Sequence, residues 1–232
     1  MKITLPDNSS RELPEGSSGY DLAKDIGPGL AKSAVAVSVN GVQRDLHDVI
    51  EGDASVSIIT IDSDEGIEIM RHTLTAQVLA RAIKNLYPKS KLAIGPTIDD
   101  GFYYDVESEK SISSDDLSKI EDEMKKIIKT KSSITKKLVS KSEALKVFKE
   151  NKESYKEIIV NESKQKDNFQ LYYQDDKKFV DLCRGPHLPN LEFIGSFKLT
   201  KVSGAYWKGD SANAMLTSCL LYTSDAADEQ QR

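Results

Sequence analysis

The sequence has very few of the residues that crosslink secreted proteins and no long apolar segment. Its 232 residues include only two cysteines, three histidines and one tryptophan. Two cysteines far apart do not form a disulfide framework, which favours a reducing compartment. No apolar run approaches the roughly 18 residues that a membrane span needs, and the first residues lack the apolar core of a signal peptide. These absences predict a cytoplasmic globular protein with free thiols and no membrane partner.

The charge of the chain is unevenly distributed. A net charge of -5 gives no overall attraction to nucleic acid, yet twelve lysines and only six carboxylates stand between residues 119 and 156. Clustered lysines of this kind can bind along the phosphate backbone of a nucleic acid. The favoured interpretation, however, is a lysine-rich helix exposed to solvent. No Gly-Lys-Ser or Gly-Lys-Thr phosphate-binding loop occurs, so this chain is not expected to bind ATP through one.

Periodicity and turn residues predict two domains of mixed α+β structure. Residues 1–62 predict short strands around one helix, with a hairpin at Asn40-Gly41, in a unit of ubiquitin-like size. In the second domain, residues 63–216, a helix is expected over 68–86 because apolar residues recur there at every fourth position. Further elements are expected as strands at 92–96, 101–106, 171–173, 179–182 and 197–202, and as helices at 113–129 and 141–150.

One of the two cysteines and one of the three histidines of the chain lie in the segment Cys183-Arg184-Gly185-Pro186-His187. A thiol and an imidazole can bind metal, act as nucleophiles or move protons. The Gly-Pro between them excludes a regular helix. Because a predicted strand ends directly before Cys183, the segment is expected to be a functional loop at a strand end.

Several motifs, in this order, resemble the N-terminal half of bacterial threonyl-tRNA synthetases. The motifs that carry the resemblance are Arg71-His72, Ile94-Gly95-Pro96, Gly101-Phe102-Tyr103-Tyr104-Asp105, Glu153-Ser154-Tyr155-Lys156, Asp181-Leu182-Cys183-Arg184-Gly185-Pro186-His187 and Gly204-Ala205-Tyr206-Trp207-Lys208-Gly209-Asp210. The resemblance covers nearly the whole chain to about Met215. It implies a TGS domain with a ubiquitin-like β-grasp fold, followed by a larger α+β editing domain, the second additional domain, with an antiparallel sheet and long helices.

The same resemblance defines what the chain is expected to lack. The aminoacylation and anticodon-binding domains of the family are missing, and with them the sites for ATP, Mg and Zn, so no cofactor and no metal are expected here. Residues 217–232 do not resemble the family and are interpreted as an artefactual tail, in which Cys219 has no function. Full-length members of the family are homodimers, whereas the state of this chain is left open.

The resemblance also implies an activity and a site. The activity is hydrolysis of serine wrongly attached to tRNA(Thr), with the tRNA acceptor end as partner. The catalytic residues carried over are His72, Lys156, Asp181, Cys183 and His187. Gln77, Tyr104 and Arg184 are carried over as substrate-binding residues. Lys156 is expected to place a water or the terminal ribose, Asp181 to orient a base or bind the serine amino group, and Tyr104 to line the pocket.

One part of the pattern departs from the family, which has His-x-x-x-His on the helix. Here one residue is inserted and glutamine replaces the second histidine, so that His72 and Gln77 are five positions apart. Such residues lie about 140° apart on a regular α-helix and cannot share a face. Either the helix begins after His72, or it carries a bulge, or His72 has left the site. Glutamine can hold a water but cannot take a proton.

Two other functions remain open at this point. Loss of the histidine pair would leave a module that binds the tRNA acceptor end without hydrolysing the ester. Alternatively, Cys183 and His187, with His72 and Asp181 as further ligands, could bind zinc in a free-standing metal-dependent hydrolase.

Overall fold

The computed structural model describes residues 1–95, 97–98, 101–110, 112–175 and 178–222. The chain divides into two compact units, which are treated separately below. The first unit consists of Met1–Met70 with Arg184–Phe193, and the second of Arg71–Cys183 with the chain from Ile194 onward. Residues 63–70 and 184–193, which the predicted boundaries assigned to the second domain, therefore group with the first unit.

The first unit is a single sheet with helices on the connections. Its elements are β1 (Lys2–Thr4), β2 (Ser10–Glu12), α1 (Gly19–Ile26), α2 (Pro28–Ser33), β3 (Ala34–Val39), β4 (Val42–Asp45) and β5 (Ala54–Thr60). The strand order is β2-β1-β5-β3-β4, and β1 pairs with β5 in parallel while its other neighbour is antiparallel. This is the β-grasp arrangement, and it confirms the predicted ubiquitin-like fold of this region.

Local sequence explains the two best-defined features of this unit. Ser18 and Asp21 form a capping box at the start of α1, which satisfies backbone donors that the first helical turn leaves free. Asn40 and Gly41 both have positive φ, 51° and 80°, as the tight hairpin between β3 and β4 requires. Helix α2 is a second helix where the sequence predicted only one, and Pro28 is its first residue, a position that proline favours.

The second unit begins within a long helical run that changes its winding. Helix α3 (Asp64–Thr73) starts in the first unit and ends in the second; a π-helical segment (Leu74–Leu79) and α4 (Ala80–Leu86) continue it. The later helices are α5 (Leu117–Lys129), α6 (Lys141–Glu150) and α7 (Ser154–Glu162). The predicted helix over 68–86 is confirmed as a continuous run, but not as regular α-helix.

The second unit has two sheets. Its strands are β6 (Lys91–Leu92), β7 (Thr97–Ile98), β8 (Gly101–Glu107), β9 (Ile134–Val139), β10 (Phe169–Gln174), β11 (Phe179–Leu182), β12 (Lys198–Tyr206) and β13 (Met215–Tyr222). One sheet has the order β11-β10-β9; the other has the order β12-β13-β8-β6, with β7 paired to β8. The pairs within both are antiparallel, and together with the helices they confirm the predicted α+β class.

Strand β13 lies in the interior of its sheet. It pairs with β12 on one side and with β8 on the other. Residues 217–222, which sequence analysis assigned to an artefactual tail, form most of this strand; the rest of that tail lies outside the described residues. Among the described residues, no helix is long and apolar enough to cross a membrane.

Candidate functional site

The alternation of strand β11 sends its apolar and its reactive side chains to opposite faces. Val180 and Leu182 pack against the apolar cluster that contains Phe148 of α6. Because successive strand residues alternate in direction, Asp181 and Cys183 project to the other face. Cys183 continues the pairing beyond the end of the strand, where its backbone N–H donates to the carbonyl of Gln170 at 3.3 Å. Two predicted site residues therefore share one face of one sheet.

The thiol of Cys183 meets the imidazole of His72. The distance between His72 Nε2 and Cys183 Sγ is 2.9 Å, and both residues are half-buried. The tautomer of the imidazole decides which of the two atoms donates. The structure thus brings together a helix residue and a strand-end residue that are 111 positions apart in the chain.

A π-helical segment directly follows helix α3, which carries His72. Within it, the N–H of Ala80 bonds to the carbonyl of Thr75, five positions earlier. A turn closed by i→i+5 bonds holds one residue more than an α-turn. Residues five apart, such as His72 and Gln77, therefore come close to one full turn apart. Of the three alternatives left open by the sequence, the structure shows the bulge.

A second group on the same face of β11 is a closed triangle of buried polar side chains. The Lys156 ammonium group donates to Tyr104 Oη at 3.0 Å and pairs with Asp181 Oδ1 at 2.7 Å. The Tyr104 hydroxyl donates to Asp181 Oδ2 at 2.7 Å. All three residues are at most 3% exposed. Of the twelve lysines in 119–156, a stretch that the structure describes throughout, Lys156 alone is buried.

The protonation of Tyr104 is fixed by its surroundings. Burial raises the pKa of the Tyr104 phenol well above its usual value, and the Asp181 carboxylate that it faces adds to the increase. The phenol therefore stays protonated and donates to Asp181, while its oxygen accepts from Lys156. A buried ion pair is tolerable only when hydrogen bonds satisfy its remaining valences, and Tyr104 provides that bond to both partners.

Backbone and neighbouring charges hold this triangle in place. A Cβ on Gly95 would lie 2.6 Å from Cδ2 of Tyr104, so only glycine lets the chain pass this close to the ring. Glu153 precedes helix α7, which carries Lys156. Its carboxylate pairs with Lys84 at 2.6 Å and accepts the backbone N–H of Leu92 at 2.8 Å. Sequence reasoning gave Gly95 and Glu153 no role beyond their motifs.

Gln77 contacts strand β10 at a different place from Cys183. It is fully buried, and its Oε1 and its backbone carbonyl both accept from Nε2 of Gln174, at 2.9 and 2.8 Å. Gln174 is four residues along β10 from Gln170, the neighbour of Cys183, or about 13 Å in an extended strand. The structure therefore joins Gln77 to the far end of β10. Sequence reasoning missed Gln174, whose only signal is an amide at the end of a strand.

Arg184 and His187 belong to the first unit. The Arg184 side chain is exposed, whereas His187 is 1% exposed. The backbone N–H of His187 donates to Oδ1 of Asp45 at 2.8 Å, which anchors the segment after the cis Gly185–Pro186 bond to strand β4. Their catalytic and substrate-binding roles stay predictions of the resemblance.

The two cysteines differ in environment. Cys219 is fully buried in β13, and burial, with the nearby Asp105 carboxylate, raises the pKa of its thiol to about 12. It is therefore inert at neutral pH, whereas Cys183 is half-buried beside an imidazole. His72 and Cys183 can together offer a metal one nitrogen and one sulfur ligand, and structural zinc takes four ligands. The zinc hypothesis stays a prediction.

Two models of known domain families match parts of the chain. Residues 1–60 match the family model of the TGS domain. Residues 170–217 match that of the threonyl and alanyl tRNA synthetase second additional domain. The chain has an aminoacyl-tRNA synthetase-like N-terminal region. The match to the second additional domain includes Asp181, Cys183 and His187. The two domains support a role in tRNA binding or editing in translation.

Proposed function

We propose that the chain hydrolyses the ester of serine wrongly attached to tRNA(Thr). The observation that carries the proposal is the face of β11, on which Asp181 is paired with a buried lysine and Cys183 with His72. The threonine specificity comes from the resemblance to threonyl-tRNA synthetases. The proposal covers hydrolysis only, and a role in translation would place this activity in the cytoplasm.

A synthetase for threonine needs such a second site for a physical reason. Serine differs from threonine by one methyl group, and a pocket gains only about 1–3 kcal/mol from a group of that size. Both amino acids carry the hydroxyl that a synthetic site would hold. A hydrolytic site that admits the smaller amino acid and excludes the larger one adds the missing discrimination.

The proposed reaction is attack of water on the seryl ester at the 3′ end of the tRNA. His72 takes the proton of the attacking water and later gives it to the departing ribose oxygen, so that serine and tRNA are released. Cys183 holds the imidazole in position. The Lys156 ammonium has three donors, of which two reach Tyr104 and Asp181. The proposal assigns the third to the negative charge that develops on the ester oxygen.

The experiment is deacylation of Ser-tRNA(Thr) by the purified chain. Lys156→Met and His72→Gln are expected to lower the rate by about 100-fold or more, as loss of a charge-stabilising donor or a general base does. Lys149→Met removes an exposed lysine of α6 and is the matched control. Rates that are equal in all four proteins would refute the proposal, and a rate abolished by a chelator would favour the zinc hydrolase instead.

A binding module is the second candidate, and Gln77 favours it. Glutamine stands where the family has a histidine, is fully buried and is bonded to Gln174. In that case the chain would bind the acceptor end carrying a non-hydrolysable amide-linked serine, while showing no deacylation above the uncatalysed rate. Binding with hydrolysis supports the first candidate, and binding without it supports the second.

A further inference from the structure

We infer that Gln174 is a positioning residue for His72, because it holds the π-helical segment that follows His72 in the chain. The Gln174 amide nitrogen donates twice to one residue of that segment, to the carbonyl of Gln77 at 2.8 Å and to its Oε1 at 2.9 Å. Both glutamines are at most 1% exposed. The contact is therefore shielded from water, which would otherwise compete for these groups.

A wide turn needs this kind of support. Where a helix changes between i→i+4 and i→i+5 bonding, its backbone ladder is irregular, and π-turns are accordingly rare and short. Helix irregularities occur at identifiable places, among them π-bulges and positions where a side chain bonds into the ladder. The Gln77 carbonyl lies inside Leu74–Leu79, so the donor from Gln174 reaches the irregular part of the helix.

Gln174 is itself held in one orientation. Its Oε1 accepts from Arg81 Nη1 at 3.3 Å, which directs its Nε2 away from Arg81 and toward Gln77. Arg81 Nη2 pairs with Asp175 Oδ2 at 2.7 Å, and Ser132 donates to the other carboxylate oxygen. These bonds fix which end of the Gln174 amide is the donor, and they connect β10 to the helical run.

The winding of the π-helical segment affects His72 because His72 lies just before it in the same continuous helix. His72 is two residues before the π-helical segment and bonds to Cys183 at 2.9 Å. If the wide turn rewinds or shifts, residues before it rotate relative to those after it, by up to about 100° for one residue. Such a rotation would remove the imidazole from Cys183. The effect on hydrolysis rests on the proposed function, whereas the effect on the His72–Cys183 contact does not.

The test uses Gln174→Met and Gln174→Glu in the full chain. Methionine removes both functions of the amide, while glutamate keeps the acceptor for Arg81 and loses the donor to Gln77. Asn85→Leu, which removes an exposed amide from the same helical run, is the control. The first readout is the NMR resonance of the His72 imidazole, assigned with His72→Gln and Cys183→Ala. The second is the deacylation rate.

We expect both Gln174 variants to move the His72 resonance toward its position in Cys183→Ala, and to lower deacylation by about 10-fold or more, as loss of a residue behind a functional group typically does. Asn85→Leu should change neither. An unchanged resonance in both variants overturns the inference. A shift in the methionine variant alone also overturns it, because the Arg81 contact would then be what matters.

The remaining outcomes are equally decisive. Unfolding of both variants would show that Gln174 supports the fold as a whole, which counts against a positioning role. If the wild-type chain does not deacylate Ser-tRNA(Thr), the proposed function fails, while the resonance still tests Gln174.

Discussion

Asp105 illustrates how a single buried carboxyl group affects the second unit. It lies on β8 opposite Ser218 of β13, whose hydroxyl donates to its Oδ1, and it is only 7% exposed. Burial raises the pKa of the Asp105 carboxyl above the ordinary 3.8, and the bond from Ser218 offsets part of that increase. Asp105 contributes a stability that depends on pH.

The sign of this dependence leads to a prediction for Asp105→Asn. Above pH 3.8 the unfolded chain has released the Asp105 proton while the folded chain still holds it, so stability falls as pH rises. Asparagine keeps an acceptor for Ser218 and does not titrate. The melting temperature of the variant, relative to wild type, should therefore be higher at pH 7 than at pH 3.5. An equal difference at both pH values would contradict the assigned pKa.

At the scale of elements, the helical run between residues 64 and 86 changes its winding in the middle. The π-helical segment Leu74–Leu79 has one residue more per turn than an α-helix, and α-helix lies on both sides of it. All six of its residues are buried, so the wide turn lies in the core of the second unit. Gln174 bonds to it there, through the carbonyl of Gln77.

Deleting Leu74 should convert the run into continuous α-helix. His72 and Gln77 would then be four apart, one regular turn, and the His72–Cys183 contact should persist. The melting temperature should fall less than in the control deletion, although a buried leucine is lost. Deleting Asn85, in the regular helix α4, is the control: it rotates the following chain by about 100° and should lower the melting temperature. In the Leu74 deletion, Gln174→Met should no longer move the His72 resonance. Loss of the contact on deleting Leu74 would contradict this account.

Elements with strong local signals were predictable from the sequence, and those set by tertiary contacts were not. The Asn40-Gly41 hairpin and strand β11 were expected and are present. Strand β9 was not, because its lysines resemble a solvated helix; edge strands, however, tolerate lysine well, and β9 lies at the edge of its sheet.

The residues of the candidate site were predictable from the sequence, whereas the contacts between them were not. The side chains of the Tyr104, Lys156 and Asp181 triangle were expected through the resemblance, but their mutual bonds were not. No local pattern could reveal that Gln174 reaches a helix 97 positions earlier in the chain. The sequence left three alternatives for the helix at His72. A wide turn and a late helix start can be distinguished only from the three-dimensional structure.

At the scale of the whole molecule, the second unit depends on a strand at the end of the described chain. Every paired position between β13 and β8 lies within residues 217–221 of β13. The second additional domain match ends at residue 217. The structural unit thus extends beyond the matched segment.

Ending the chain after Leu216 should therefore unfold the sheet of β8 and β12. The truncated chain would leave the backbone groups of both strands without their interior partner, and buried unpaired groups cost about 1–3 kcal/mol each. A chain ending at Tyr222 keeps the whole of β13 and is the control, and it should melt at a higher temperature in circular dichroism than the chain ending at Leu216. Identical melting of both truncations would show that β13 is dispensable.

The wide turn after His72 also bears on alignment with any sequence that has His-x-x-x-His on this helix. The one-residue gap would then belong inside residues 74–79, where the backbone accommodates a surplus residue. A gap moved to either side would pair buried positions with exposed ones along a whole helix, and would make a local detour look like the loss of a reactive imidazole.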